Sequence, residues 1–288
     1  MAIYEIVNFF KKPATLNYKK PTPVHGKARG VPVPVKNGSC EGCSECVSYC
    51  PTKAIALNGS QSKSKLVFDY GACLQCGLCV EICPNAILEN SGLIYAFTLD
   101  REELVVEYEN GVIQENPSKP LRTNPFEVQE TKQERLERRE EFKKLTHRKG
   151  LNYREVAACG NNTVEAELNA SFNNVFDSES EGVRSVASPK HADVLLYSGP
   201  VSDGMRGPLA KAWDTMPDPK ALVACGTEAI SGGSFERGIV PREPDLYIPG
   251  DPPRPDTILQ GLRLLMGRLD YSFRKELQKV IELRKKKN

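Results

Sequence analysis

The chain has 288 residues, of which 40% are hydrophobic and 26% are charged, and its formal net charge is +2 at pH 7. This length is typical of about two domains, and the apolar content suffices for the cores of a globular protein. The nearly neutral charge excludes a nucleic-acid binder that relies on an overall basic field, and the sequence offers no apolar stretch of about 18 residues to span a membrane.

The first segment, residues 1–36, is basic and rich in proline. Valine alternates with proline over residues 31–35, and further prolines stand at positions 21 and 23. Because proline favours an extended chain, we expect this leader either to lie along a partner surface or to form a disordered tail. The sequence supports both possibilities equally.

Two cysteine runs follow the leader and carry most of the information in the sequence. They read Cys40-x2-Cys43-x2-Cys46-x3-Cys50-Pro51 and Cys73-x2-Cys76-x2-Cys79-x3-Cys83-Pro84. This repeated pattern is typical of a ferredoxin with two [4Fe–4S] clusters, in which the fourth cysteine of each run binds the cluster of the other run. We therefore predict one cluster on Cys40, Cys43, Cys46 and Cys83, and a second on Cys73, Cys76, Cys79 and Cys50.

Zinc and disulfides are the alternative explanations for these cysteines. Zinc sites use paired C-x2-C knuckles, which leaves the middle cysteine and the Cys-Pro step of each run unexplained. Disulfides are disfavoured because nothing resembling a secretory signal precedes the runs and the remaining Cys159 and Cys225 stand far apart. The cluster interpretation is preferred, and it points to a reducing compartment.

Residues 37–110 form the predicted ferredoxin-like unit, which is an internal repeat. A strand-like stretch follows each cysteine run, at residues 54–57 and 86–89. Residues 65–69 are predicted as a strand that returns from a turn at 58–60. We therefore expect an α+β fold with an additional hairpin in its first half.

Charged helices are predicted on both sides of a second domain. Residues 111–150 are interpreted as a linker whose helix, at 130–149, is rich in Glu, Lys and Arg, is solvated, and ends at Gly150. Residues 271–288 are predicted as a charged C-terminal helix.

The second domain, residues 151–270, alternates apolar strands with helices. The predicted strands are 155–158, 192–197 and 221–224, and the predicted helices are 164–172 and 208–215. Continuous apolar strands between helices favour a parallel sheet covered on both faces. The expected architecture is therefore a ferredoxin-like α+β domain followed by an α/β domain of the flavodoxin-like type, with ligands expected beyond the strand C-termini.

Several segments of this second domain resemble a known family. They are Ser188-Pro189-Lys190-His191-Ala192-Asp193, Gly199-Pro200-Val201, Met216-Pro217-Asp218-Pro219-Lys220, Ser231-Gly232-Gly233 and Ile248-Pro249-Gly250-Asp251-Pro252-Pro253-Arg254-Pro255. The domain resembles the small, cluster-carrying subunit of energy-converting [NiFe] hydrogenases, formate hydrogenlyase and respiratory complex I. The first domain resembles the two-cluster ferredoxin-like subunit of the same complexes, so the resemblance implies a fusion of both.

The sequence departs from this family at one site. The resemblance implies a terminal [4Fe–4S] cluster on four cysteines, but the matching positions here are Cys159, Asn162, Glu228 and Asp251. Because iron–sulfur clusters select soft sulfur ligands, we predict that this site holds no cluster. Two explanations for the carboxylates stay open: they bind a hard cation or carry protons, or they fill the vacated space with hydrogen bonds to the glycine-rich loops.

The resemblance implies an iron–sulfur electron-transfer subunit, at most a non-catalytic part of an oxidoreductase, within a membrane-associated assembly. The expected partners are a large-subunit homologue, which docks on the second domain, and integral membrane subunits; nucleic acid and small-molecule substrates are not expected. The expected location is cytoplasmic, peripheral on the inner face of the cell membrane. One alternative is an architectural subunit of an ion- or proton-translocating complex whose clusters are structural; a weaker one is a free ferredoxin-type carrier.

Overall fold

The computed structural model describes residues 7, 10–11, 23–35, 43–58, 65–115, 119–122 and 125–286. Cys40, a predicted ligand of the first cluster, lies outside the described residues, and so do positions 59–60 of the predicted turn. The described part folds into a cysteine-bearing unit with an antiparallel sheet and a unit with a parallel sheet, and these two units are in contact.

The cysteine-bearing unit is built on a four-stranded antiparallel sheet of order β2-β3-β5-β6. These strands are β2 (Ile55–Asn58), β3 (Lys65–Asp69), β5 (Val105–Glu109) and β6 (Val112–Ile113). The predicted hairpin is confirmed, because β2 pairs antiparallel with β3 and places Ile55 opposite Phe68. Two single-turn helices, α1 (Glu45–Ser48) and α2 (Leu78–Glu81), each contain the third cysteine of a run.

Residues 23–35 of the leader pack on this same unit. Strand β1 (Pro32–Pro34) pairs antiparallel with β4 (Leu88–Asn90), the strand that follows the second cysteine run. The three valines that alternate with these prolines are buried, and their hydrophobic burial holds the segment against the unit. For residues 31–35, the surface along which the extended leader lies is therefore provided by the chain itself.

The charged linker helix differs from its prediction as a solvated helix. Helix α3 (Lys132–Lys149) begins two residues after its predicted start, with a capping box between Thr131 and Glu134, and it ends at Gly150 as predicted. One face of it is buried, however, through Arg139, Phe142 and Thr146. An arginine in a sequence is expected at the surface, but Arg139 is only 5% exposed. Its burial is possible because its guanidinium group donates hydrogen bonds to Asp100 and to the carbonyl of residue 99.

The second unit contains a five-stranded sheet of order β13-β11-β10-β8-β9 in which every neighbouring pair is parallel. Its strands are β8 (Leu151–Ala157), β9 (Val183–Ser185), β10 (Val194–Ser198), β11 (Ala221–Cys225) and β13 (Leu246–Ile248). The helices are α4 (Thr163–Ala170), α5 (Asp203–Thr215), α6 (Thr227–Ser231) and α7 (Pro255–Leu265). The predicted parallel sheet is confirmed, and the central strands β10 and β11 are buried along their whole length.

Two further elements pack against these units. Strand β7 (Phe126–Val128) pairs in parallel with β12 (Val240–Arg242), and helix α8 (Phe273–Lys285) packs through buried apolar side chains. The α8 residue Arg274 donates hydrogen bonds to the backbone carbonyls of residues 103 and 105 in the cysteine-bearing unit. None of the helices in the described ranges has the length and apolarity needed to cross a membrane.

Candidate functional site

Two small cavities, each of about 20 Å³, lie against the two cysteine runs. The first cavity is lined by all four cysteines of the predicted second cluster, and also by Cys46. The second cavity is lined by Cys43, Cys46 and Cys83, which are the three described members of the predicted first set. Cys50 and Cys83 thus each face the cavity of the other run, which is the arrangement that interleaved ligation requires.

Backbone amides approach the sulfurs in the same way in both runs. The amide N–H of Ala54 donates to Cys50 Sγ at 3.3 Å, and that of Ile87 donates to Cys83 Sγ at 3.4 Å. Both donors stand four residues after the last cysteine of their run, so the repeat in the sequence becomes a repeat in geometry. Such hydrogen bonds favour the charged thiolate over the thiol.

Without a bound metal, the innermost cysteines hold their protons tightly. Burial raises the pKa of the Cys73 thiol, and the neighbouring sulfurs raise it further, although the amide of Gln75 lowers it. Burial also raises the pKa of Cys79 to about 12, with repulsion from Cys46, Cys76 and Cys50 adding to the effect. Cys73 and Cys79 therefore need a positive centre beside them to become thiolates, and the soft sulfur donors that line this cavity fit an iron–sulfur cluster.

A loop cluster, formed by residues 159–162, 226–228 and 250–251, lies at the carboxyl ends of β8, β11 and β13. It contains the four positions that the resemblance predicts to correspond to the terminal-cluster cysteines of the family. Cys159 is exposed and, like Asn162, has a left-handed backbone, with φ angles of 75° and 63° respectively. In parallel sheets this edge is where ligands usually bind.

Hydrogen bonds bring the two carboxylates of the loop cluster together. The backbone N–H of Asn161 donates to Glu228 Oε2 at 3.2 Å, and its side-chain amide donates to Asp251 Oδ1 at 2.9 Å. The Oδ1 atom of Asn161 accepts in turn from the backbone N–H and the hydroxyl of Thr163. Asn161 is thus the residue that organises these side chains, whereas Asn162 begins helix α4 without a side-chain cap.

The environment of the loop cluster is electrostatically unfavourable for carboxylates. Partial burial raises the pKa of Glu228, and repulsion from Asp251 and Glu165 raises it further, while the Asn161 amide lowers it. Cys225 lies fully buried at the end of β11, and burial followed by repulsion from Glu155 and Glu165 raises its pKa well above the usual value. Among the described residues, no three His, Cys, Asp or Glu side chains are placed to hold a single metal ion.

One hydrogen bond joins the loop cluster to the cysteine-bearing unit. The Thr227 hydroxyl donates to the backbone carbonyl of Cys73 at 3.0 Å. The same hydroxyl accepts a hydrogen bond from the backbone N–H of Gly250 at 3.1 Å, and the Thr227 N–H donates to the Gly250 carbonyl. The first cavity and the loop cluster are therefore adjacent.

Comparison with known proteins places both halves of the chain. Residues 39–87 match the model of a 4Fe-4S dicluster domain, and residues 159–265 match the model of the 20 Kd subunit of NADH ubiquinone oxidoreductase. A probable membrane-bound hydrogenase subunit, mbhJ of Pyrococcus furiosus, is 32% identical over 123 residues, which cover 40% of this chain and 74% of that protein. The chain therefore belongs to the family of the 20 Kd subunit, and it carries a 4Fe-4S dicluster domain in the same polypeptide. The resemblance predicted from the sequence is confirmed.

Two further matches come from a curated relative and from a solved structure. Formate hydrogenlyase subunit 7 of Escherichia coli (strain K12) is 39% identical over 125 residues, covering 40% of this chain. This chain spans 48%, or about half, of the length of that relative. Among solved structures, a chain from a membrane-bound sulfane sulfur reductase, an archaeal respiratory membrane complex, is 20% identical with a TM-score of 0.34, covering 51% of this chain and 88% of that chain.

Proposed function

We propose that this chain is the electron-transfer subunit of a membrane-associated assembly related to energy-converting hydrogenases and complex I, and that it holds two [4Fe–4S] clusters. The observation that carries the proposal is the interleaving of the cysteines: Cys50 and Cys83 each face the cavity of the other run. Bound clusters of this kind accept and release single electrons. The described cysteines, with Cys40, supply two sets of four sulfur ligands.

The residues of the loop cluster argue against a third [4Fe–4S] cluster, so the proposal stays at two [4Fe–4S] clusters per chain. A terminal cluster would need four sulfur ligands, but the loop cluster offers Cys159 with an amide and two carboxylates. Asn161 already bonds to both carboxylates. This arrangement favours the explanation in which these side chains fill the space by hydrogen bonding.

We infer that the second domain is flavodoxin-like. In chain order within the sheet, its strands β9-β8-β10-β11-β13 read 2-1-3-4-5, which is the order of that doubly wound type. We propose domain limits of 37–110 for the ferredoxin-like domain and 151–270 for the second domain. The leader, residues 1–36, and the segments 111–150 and 271–288 join or flank these domains.

The proposed partners are a large-subunit homologue, docked on the second domain, and integral membrane subunits. The names of the two relatives above support this, since one belongs to a formate hydrogenlyase and the other to a membrane-bound hydrogenase. The subunit would then lie on the inner face of the cell membrane and would catalyse no reaction by itself.

An architectural role is the second candidate function. It is favoured by the loop cluster, where hydrogen-bonded side chains occupy the positions at which the family carries its terminal cluster. In that case the two clusters would stabilise the fold, and electron transfer to a large subunit would be absent.

Iron analysis and membrane purification test the proposal together. Anaerobically purified protein should contain about eight iron atoms per chain, four for each cluster. Native purification from membranes should recover the chain with integral subunits, and dithionite should reduce both clusters reversibly within that complex. An iron content of about twelve atoms per chain would show that a terminal cluster is present. Clusters that cannot be reduced in the complex would favour the architectural role. A soluble monomer without partners would support the free carrier.

A further inference from the structure

The Thr227 hydroxyl has a fixed orientation that matters for the first cavity. Thr227 is fully buried, and its side-chain oxygen takes part in two hydrogen bonds. A hydroxyl has one proton to donate, and because it accepts from the Gly250 N–H, its own proton is committed to the Cys73 carbonyl. The loop that carries Gly250 therefore holds the donor in place.

This bond fixes the orientation of the peptide group between Cys73 and Leu74. In a planar trans peptide the C=O and the following N–H point in opposite directions. Since the Cys73 carbonyl points at Thr227, the Leu74 N–H points away from the second domain. Both residues line the first cavity, so rotation of this one peptide group changes the polarity that the cavity wall presents.

Hydrogen bonds within this loop hold the neighbouring peptide groups. The backbone N–H of Cys73 bonds to the Tyr70 carbonyl, and the N–H of Gln75 bonds to Cys73 Sγ at 3.4 Å. These bonds hold the peptide groups before and after the one between Cys73 and Leu74. Thr227, which comes from another domain, supplies the bond to the carbonyl in between.

We propose that Thr227 is a positioning residue that sets the reduction potential of the cluster bound by Cys50, Cys73, Cys76 and Cys79. This inference rests on the proposed function, because it assumes the two clusters. Hydrogen bonds and peptide dipoles directed at a cluster stabilise its more negative, reduced state and so raise its potential. A peptide group freed from Thr227 loses its fixed orientation, so the potential of this cluster shifts while that of the other cluster stays.

The test is a redox titration of the purified full-length chain with both clusters, followed by electron paramagnetic resonance. Thr227→Val removes the hydroxyl at almost constant volume, and Thr227→Ser keeps it. Thr146→Val is the matched control, because Thr146 is also fully buried and its hydroxyl also donates to a backbone carbonyl, that of Phe142 in α3. Cys43→Ser and Cys76→Ser, each altering a ligand of one set, assign the two signals.

We expect Thr227→Val to change the equilibrium constant for reduction of the Cys76-linked cluster by up to about tenfold, the upper end for one neutral hydrogen bond, or about 59 mV for one electron. The Cys43-linked cluster, Thr227→Ser and Thr146→Val should keep wild-type potentials. An unchanged potential in Thr227→Val, an equal shift of both clusters, or the same shift in Thr227→Ser would overturn the proposal. Wild-type protein that holds no cluster would instead overturn the proposed function itself.

Discussion

Replacing Cys50 by alanine separates interleaved ligation from ligation within each run. Cys50 belongs to the first run in sequence, but its side chain lines the cavity with Cys73, Cys76 and Cys79. The variant should therefore lose the cluster of the second run, and the iron content should fall from about eight to about four atoms per chain. In the cluster-free protein the change removes the bond from the Ala54 N–H and the weaker contact with the Thr52 hydroxyl, and each such bond contributes about 1 kcal/mol or less.

Thermal unfolding with and without clusters, together with iron analysis, measures both effects. The loss of stability should be larger in the cluster-loaded protein than in the cluster-free one, because metal binding contributes directly to folding. Cys159→Ala is the control, since Cys159 is exposed and belongs to neither set; its iron content should equal that of the wild type. A Cys50→Ala protein that keeps the spectroscopic signal assigned to Cys76 and loses the one assigned to Cys43 would refute the interleaved arrangement.

Three further predictions concern stability. Asp245→Asn should lower the free energy of unfolding by about 3–5 kcal/mol in denaturant titrations, because the buried carboxylate accepts hydrogen bonds from the guanidinium groups of two arginines, one in α3 and one in β12. The control is Glu127→Gln, whose carboxylate pairs with Arg206 where both side chains are exposed; it should cost less than about 1 kcal/mol, and equal costs would contradict this. Tyr70→Phe should cost about 1–3 kcal/mol, since it leaves a buried carbonyl and a buried hydroxyl without their partner, and exposed Tyr49→Phe should cost almost nothing. The pKa of Glu228 is raised above 4.5, so its carboxyl group binds a proton more tightly in the folded protein than in the unfolded chain. Stability should therefore fall as the pH rises from the unfolded pKa of this group through its higher folded pKa, and Glu228→Gln should remove this part of the decline. Superimposable pH profiles of wild type and variant would disprove the last prediction.

The parts of the fold that the sequence predicted are those set by local patterns. The cysteine spacing assigns each sulfur to a run, and a cavity lined by Cys50 with the second run follows from the turn between the third and fourth cysteines. Continuous apolar strands such as β10 and β11 predict a buried parallel sheet because both faces must avoid water.

The parts that could not be predicted depend on contacts between distant segments. Helix α3 has almost no apolar periodicity, so the pattern gave no sign that Arg139 is buried against Asp100. The sequence predicted that helix α5 starts at Pro208, since proline normally marks the first helical turn. The helix in fact begins five residues earlier, at Asp203, and Pro208 lies inside it. The organising role of Asn161 depends on where the loops carrying Glu228 and Asp251 lie, and only an asparagine followed by Thr163 at a helix start hinted at it.

The alternation of valine and proline in β1 has a consequence for the behaviour of the chain in concentrated solution. The N–H groups of Val31 and Val35 point to one side of the strand and bond to the carbonyls of residues 93 and 87. The opposite side belongs to Pro32 and Pro34, which have no N–H group, and the Pro32 carbonyl there already accepts from Tyr70. That edge has no backbone donor to offer, and because β1 is buried along its whole length it is also closed to a strand of another molecule; both features protect the small sheet from edge-to-edge association.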